Sequence, residues 1–156
     1  MQLNDTRPVM ENAGPPPWLA KLAEDATLEA TVLRRPVQGR ALIVDFLRRA
    51  IPLYDFQDFA YKGPVGEGLF LESYRAAIQG VPVQCLVVAH ENAAGEVDSV
   101  VINHRPLEAA LMFSRLMGEQ VAKDHGDGYF LRPSEWAAFG LVRSIREEAS
   151  ATPESP

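Results

Sequence analysis

The sequence has almost no cysteine and no long apolar run. Cys85 is the single cysteine in 156 residues, so the chain can form no internal disulfide, and a reducing compartment is the simpler expectation. No apolar stretch reaches the roughly 20 residues that a membrane-spanning helix needs. The first residues are polar and acidic where a signal peptide needs an apolar core. We therefore predict a cytoplasmic protein without a membrane partner.

Basic residues are also too few for a nucleic-acid-binding surface. The chain carries 15 Lys and Arg against 21 Asp and Glu, a formal charge of −6, whereas phosphate recognition needs clustered cations. The sequence lacks a glycine-rich phosphate loop, a nucleophile elbow and a metal-binding cysteine set. Asp124, His125 and Asp127 lie close together, but their spacing fits neither a helical histidine pair nor a calcium loop. We predict no cofactor, no metal and no nucleic-acid partner.

Three consecutive strand patterns dominate what the sequence does contain. Residues 68–78, 81–91 and 96–105 are rich in β-branched and aromatic residues, which suit a half-buried pleated surface. Gln79 and Gly80 form a two-residue hairpin loop between the first two, and residues 92–95 form a four-residue loop before the third. This pattern predicts an antiparallel meander at the centre of the fold.

The remaining segments alternate between helical and strand patterns. Apolar spacing predicts helices over 18–25, over 40–54 with a stop at Pro52, after Pro106, and over 135–148 with Ser134 as N-cap. Strands are predicted over 27–33 and 55–62. The expected organisation is an extended arm (1–17), one domain (18–123), a loop with a C-terminal helix (124–149) and a tail (150–156).

Three short motifs occur in this order along the chain. They are residues 24–29 with 36–40, the turn at 79–83, and residues 95–97 at the start of the last strand. In order and spacing they resemble the nuclear transport factor 2-like (NTF2-like) superfamily, which includes SnoaL-like cyclases and ketosteroid isomerases. The resemblance covers about 18–117. It implies an α+β, cystatin-like fold, in which a cone-shaped, curved mixed or antiparallel sheet packs on helices, here with an extra C-terminal helix. It also implies a cavity for a small hydrophobic molecule, and homodimers.

The same resemblance places no catalytic group of ketosteroid isomerase in this chain. Ala30 stands where that enzyme has its general-base Asp, Val87 where it has its oxyanion-hole Asp, and Leu22 where it has its Tyr. None of these side chains can donate a hydrogen bond or take up a proton. Steroid isomerisation by that mechanism is therefore not expected, although the three positions should still lie at the ligand site.

Hairpin pairing predicts which side chains share the cavity face. The loop at Gln79 and Gly80 pairs Tyr74 with Cys85 and Glu72 with Val87. A four-residue second loop pairs Cys85 with Ile102, whereas a bulged turn at Gly95 would pair Asn92 with Glu96 and turn His104 to the other face. With the first register, the predicted ligand-binding residues on this face are Phe70, Cys85, Val87, Val100 and Ile102.

Glu72, Tyr74 and His104 are the polar residues of that face, and we take them as catalytic candidates. Desolvation in an apolar concavity would shift a carboxyl or imidazole toward neutral pH, with His104 or Glu72 as base and Tyr74 as hydrogen-bond donor. The structural alternative is that Glu72 pairs with an Arg, the Tyr74 hydroxyl bonds to a backbone carbonyl and His104 hydrogen-bonds across the strand end. His90 and Asp98 could form a dyad, but an exposed ion pair at the hairpin rim fits them better.

Two functions fit the sequence. The first is a SnoaL-like protein that binds a small hydrophobic molecule, with cofactor-free isomerisation, cyclisation or dehydration as its candidate reactions. The second is a non-catalytic homodimeric accessory or protein-interaction module, whose cone is filled by Phe70, Tyr74 and the helix that carries Trp136. The two differ in whether the cavity is open.

Overall fold

The computed structural model describes residues 15–140, so most of the predicted arm, the predicted tail and the second half of the predicted last helix lie outside the described residues. Short 3-10 turns span Leu19–Lys21, Ile51–Leu53 and Pro133–Phe139. The strands and helices are β1 (Leu22–Ala30), β2 (Val37–Gln38), α1 (Arg40–Ala50), β3 (Phe56–Pro64), β4 (Leu69–Ile78), β5 (Val81–Glu91), β6 (Val97–Arg105) and α2 (Leu107–His125).

The strands form one mixed sheet in the order β2-β1-β6-β5-β4-β3. β1 and β6 are parallel, and the other neighbours are antiparallel. Register shifts in β1, β3 and the β5–β6 pair mark bulges, which bend a sheet. α1 packs on β1 and β2, and α2 packs on β5, β6 and α1, so both helices cover the concave face. The predicted α+β cone-shaped fold is confirmed. No helix within 15–140 has the length and apolarity to cross a membrane.

The first predicted hairpin register is confirmed. Ile78 pairs with Val81, Tyr74 with Cys85 and Glu72 with Val87. Gln79 and Gly80 both have positive φ, +50° and +78°, as this two-residue loop requires. The face predicted from this hairpin is therefore the observed one for β4 and β5.

The second hairpin differs from the four-residue loop that we predicted. The Asn92 N–H donates to the Glu96 carbonyl at 2.8 Å, and Gly95 adopts φ +80°, so the tip is the bulged turn. A second shift follows between Glu91, paired with Val97, and His90, paired with Ser99. The predicted pairing of Cys85 with Ile102 is therefore wrong, and Cys85 pairs with His104 instead.

These two one-residue shifts have opposite effects on the face. The bulged tip alone would turn His104 away from the side that carries Cys85, and the second shift turns it back. The result is a displacement of two residues, which preserves the pleat. Tyr74, Cys85 and His104 form one cross-strand row, and Glu72, Val87 and Ile102 form the next.

Two predicted helices are corrected. Residues 18–25 hold one 3-10 turn, after which β1 begins at Leu22, because the backbone of this segment pairs with β6, much later in the chain. Ser134 is not an N-cap, since it lies inside the last 3-10 turn, whose N-cap is Arg132. That turn closes at Gly140 in a left-handed conformation. The helices at 40–50 and 107–125 and the strand at 56–64 agree with the predictions.

Candidate functional site

A cavity of about 310 Å³ lies between the concave face of the sheet and the two helices. Its wall is mainly apolar, with contributions from β1, α1, β3, β4, β5, β6 and α2. The start of the described chain, Pro15, Pro16 and Trp18, also lines it. Among residues 15–140, six polar or charged side chains belong to the lining, namely Tyr54, Gln57, Lys62, Glu72, Tyr74 and His104.

One end of the cavity is built around His104, near the end of β6. Its backbone N–H donates to Thr31 Oγ1 at 3.3 Å, which joins the strand end to the turn after β1. Its ring Nε2 lies 3.0 Å from the Tyr54 hydroxyl, and the ring stacks on Phe113 of α2 with centroids 4.6 Å apart. The Tyr54 hydroxyl is also 3.8 Å from Cys85 Sγ. We call Tyr54, Tyr74 and His104 the histidine end.

Burial keeps the histidine end uncharged. Desolvation lowers the pKa of the His104 imidazole from 6.5 to about 4, so the ring is neutral at neutral pH. Desolvation likewise raises the pKa of the Tyr54 and Tyr74 phenols well above 10, so both keep their protons. His104 Nδ1 has no hydrogen-bond partner among residues 15–140. This end therefore offers neutral hydrogen-bonding groups to a bound molecule.

The other end is built around Glu72 on β4, directly opposite Lys62 on β3. The Glu72 side chain is 4% exposed, and its Oε1 lies 3.7 Å from the Lys62 ammonium. The ammonium also lies 4.6 Å from the centre of the Phe59 ring. Burial raises the pKa of the Glu72 carboxyl, opposed by the Lys62 charge and by the Trp18 indole. We call Glu72, Lys62 and Trp18 the glutamate end.

Across the sheet, the two ends are separated by two inter-strand spacings, from β4 through β5 to β6, and by one row of residues. Neighbouring strands lie about 4.8 Å apart, and residues on one face recur about every 6.8 Å, so the Glu72 and His104 Cα atoms are roughly 12 Å apart. The two side chains are therefore not a hydrogen-bonded dyad. A molecule in the cavity could contact both at once.

Comparison with solved structures identifies the architecture. An uncharacterized bacterial protein with a cystatin-like fold from Silicibacter pomeroyi DSS-3 superposes with a TM-score of 0.63 and 15% identity over 68% of this chain and 74% of its own. A steroid delta-isomerase from Pseudomonas aeruginosa superposes with a TM-score of 0.61 and 12% identity over 67% and 77% of the two chains. The chain has the NTF2-like fold.

At these identities the similarity shows the fold alone. A de novo designed protein with a curved β-sheet also superposes, with a TM-score of 0.50 and 14% identity over 60% of this chain and 75% of its own. No family model and no curated protein sequence matches the chain. Proteins that share a fold can have different functional sites, so the function of this protein depends on its own cavity.

The structure places the three catalytic candidates, Glu72, Tyr74 and His104, in the cavity wall. Of the predicted ligand-binding residues, Ala30, Val87 and Ile102 line the cavity, and the other four do not. Leu22, Cys85 and Val100 are fully buried in the core. Phe70 lines a second pocket of about 280 Å³, and Trp18, which lines both, stands between the two.

Sequence reasoning missed Tyr54, Lys62 and Trp18. Apolar spacing predicts Tyr54 at the end of a helix, whereas it follows the 3-10 turn Ile51–Leu53, which directs the chain back toward the sheet. Pro52, which predicts where the helix stops, lies in that turn. Lys62 could have been found only from the pairing of β3 with β4, which no turn in the sequence fixes, since residues 65–68 separate the strands.

The remaining polar candidates have structural partners. His90 Nδ1 lies 2.7 Å from Asp98 Oδ1, with both side chains about half exposed at the hairpin rim. Arg105 donates to Gln84 Oε1 at 2.8 Å. In the cluster of Asp124, His125 and Asp127, each side chain has a partner: Asp124 pairs with Arg49, His125 with Asp45 and Asp127 with Arg132. Residues 15–140 contain no group of three or more ligating side chains arranged to hold a metal ion.

Proposed function

We propose that this protein binds a small, mainly apolar molecule in the cone cavity and catalyses a cofactor-free proton transfer on it. The observation that carries the proposal is a cavity of about 310 Å³ whose apolar wall holds Glu72 at one end and neutral His104, Tyr54 and Tyr74 at the other. Ligand sites are typically of this kind, concave and apolar with a few polar groups that fix orientation.

Glu72 is the better base of the two that the sequence suggested. Burial raises the pKa of its carboxyl toward the operating range, whereas burial lowers the pKa of His104 to about 4, which weakens the imidazole as a base. The phenols of Tyr54 and Tyr74 remain protonated and can donate to an oxygen on which charge develops. Isomerisation, cyclisation and dehydration all need such a pairing of base and donor.

The filled-cone alternative has less support. Of the three features expected to plug the cone, Tyr74 is in the wall, and neither Phe70 nor Trp136 is among the described residues that line the cavity. A homodimer remains compatible with either function. The outer face of the sheet carries the partly exposed apolar residues Leu69, Leu71, Leu86 and Val88. Sedimentation at micromolar concentration should give a dimer, and a monomer would remove that part of the proposal.

Binding is tested by thermal shift with hydrophobic ketones, phenols, epoxides and steroids. A ligand at one hundred times its Kd should add about 2.7 kcal/mol of stability, which is a shift of several degrees. Val87→Phe fills the cavity and should abolish the shift. Val88→Phe, on the opposite face of the same strand, is the matched control and should leave it intact. No shift with any compound would overturn the proposal.

Proton transfer is tested with any ketone that binds. Incorporation of deuterium from heavy water at the carbon next to the carbonyl, followed by NMR, should be accelerated by the protein. Glu72→Gln should slow it by about 100-fold or more, since a positioned general base contributes roughly that much. Binding with unchanged exchange in Glu72→Gln would leave a binding protein without this catalytic role for Glu72.

A further inference from the structure

The glutamate end contains a buried acceptor that the protein itself does not satisfy. Within residues 15–140, Glu72 Oε1 has no hydrogen-bond partner, although the side chain is only 4% exposed. The Lys62 ammonium at 3.7 Å compensates the charge, but this distance is too long for a hydrogen bond. The Trp18 indole N–H is another nearby protein donor: it lies close enough to oppose the rise in the pKa of the Glu72 carboxyl, but it makes no hydrogen bond within the same part of the chain, to Glu72 or to any other group.

Such a group is unusual in a folded protein. Buried polar atoms are nearly always hydrogen-bonded, and an ionised carboxylate can only accept. Two side chains in the same row, Val87 and Ile102, are apolar and have nothing to donate. Because Glu72 belongs to the cavity wall, the donor that completes it is best supplied by the bound molecule.

Charge selects the kind of donor. A ligand ammonium would bring a second cation next to Lys62, and a ligand carboxylate or phosphate would be repelled by Glu72. A neutral hydroxyl donates to the carboxylate and leaves the Lys62 pair in place. At the histidine end, the neutral Tyr54, Tyr74 and His104 suit a carbonyl oxygen, which needs donors and carries no charge.

We infer that the ligand is a neutral hydroxy ketone, an alcohol or phenol whose hydroxyl donates to Glu72 and whose carbonyl lies at the histidine end. The inference rests on the proposed function and adds the substrate class. In such a ligand Glu72 accepts the proton of the hydroxyl, so the exchange test above applies to ketones that lack this hydroxyl. On one face of a sheet the side chains project side by side, so the tips of Glu72 and His104 keep about the 12 Å spacing of their Cα atoms. Two hydrogen bonds of about 2.8 Å then leave roughly 6 Å between the hydroxyl and carbonyl oxygens of the ligand.

The test compares para-hydroxybenzophenone with its methyl ether by isothermal titration calorimetry. The two differ by one methyl group, which removes the hydroxyl donor while the ketone and both rings remain. The wild type should bind the phenol at least about tenfold more tightly, because the ether leaves the buried acceptor unpaired. Glu72→Leu should bring the ratio of the two Kd values close to one. Val87→Ala, on the neighbouring strand in the same row, is the matched control and should change both affinities but keep the ratio.

The outcomes separate the two levels of the proposal. Equal binding of phenol and ether by the wild type overturns the hydroxyl inference and leaves the proposed function standing. Preference for the phenol that persists in Glu72→Leu shows that another group recognises the hydroxyl, and it also overturns the inference. If neither these compounds nor the wider panel bind, the proposed function fails and the inference fails with it. The wild-type comparison decides the question even if Glu72→Leu does not fold.

Discussion

The two ends of the cavity place ionisable groups in the same apolar wall but compensate them differently. At the histidine end, the imidazole is neutral, is bonded to a phenol at 3.0 Å and stacks on Phe113. At the glutamate end, the Glu72 carboxylate on β4 lies 3.7 Å from the Lys62 ammonium on β3, which is the neighbouring strand and the edge of the sheet. Burial favours the neutral form of both groups. It does so by lowering the pKa of the His104 imidazole and by raising the pKa of the Glu72 carboxyl. A single apolar environment therefore gives a poor base at one end and a better one at the other.

The largest expected effect is the pH dependence that comes from His104. Its pKa is about 4 in the folded state and about 6.5 unfolded, so the unfolded state takes up a proton first as pH falls. The contribution of neutral His104 to the free energy of unfolding is fully present above about pH 6.5. It decreases as pH falls below that value and is lost once pH has fallen through about 4. The difference corresponds to about 3 kcal/mol. Urea unfolding of wild type and His104→Phe at several pH values measures it.

In that experiment, His104→Phe should lose much less stability between pH 7 and pH 4 than the wild type. His90→Gln at the exposed hairpin rim is the control and should follow the wild type. Parallel pH profiles for wild type and His104→Phe would contradict the description of the histidine end as buried and neutral.

The second effect concerns the phenol that supports His104. Tyr54→Phe removes the one hydrogen bond that the described structure gives the His104 ring, so a buried imidazole keeps two unpaired nitrogens. The free energy of unfolding should fall by about 2 kcal/mol. Chemical denaturation measures the change. Tyr61→Phe removes an exposed hydroxyl that donates to the Pro64 carbonyl, and it should cost far less. Equal losses in the two variants would mean that the buried Tyr54–His104 hydrogen bond stabilises the protein no more than an exposed one.

The smallest expected effect is the loss of stability when Lys62 is replaced, which distinguishes the buried Glu72–Lys62 pair from a surface ion pair. Lys62→Met leaves Glu72 without its cation and should raise the pKa of the carboxyl further. Because a raised pKa costs stability as pH rises through it, the loss should be about 1 kcal/mol near pH 7 and smaller near pH 5. In a Glu72→Gln background the same change should cost almost nothing, which a double-mutant cycle would show. Lys21→Met, which breaks an exposed pair with Glu91, is the control and should lack this pH dependence.

The sequence could predict the features that depend on neighbouring residues, such as a tight turn or the apolar stripe of a helix. The Gln79 and Gly80 turn fixed the β4–β5 register, and that register placed Glu72 and Tyr74 correctly on one face. Helical spacing located α1 and α2 because each buries one apolar stripe. These interactions lie within one element or across one tight turn.

Contacts between distant segments could not be predicted in this way. The apolar spacing of Trp18, Leu19 and Leu22 fits a helix, but β1 forms because its backbone pairs with β6, about 75 residues later by the observed partners Leu22 and Val97. Tyr54 reaches His104 only through the packing of β6 beneath the turn after α1. The polar partners at both ends of the cavity come from segments that are distant in sequence. For this reason the ionisable groups could be predicted from the sequence, but their surroundings could not.

The two register shifts in the second hairpin compensate each other, because the second restores the alternation of side chains that the first reverses. The turn at 92–95 throws the last strand out of phase, and the irregularity at Asp98 brings it back before Val100. Removal of that one residue, on the exposed rim and away from the cavity, would exchange the two faces of β6 and carry Ile102 and His104 out of the wall. The composition of the site thus depends partly on one extra residue in β6 that is not part of the cavity wall.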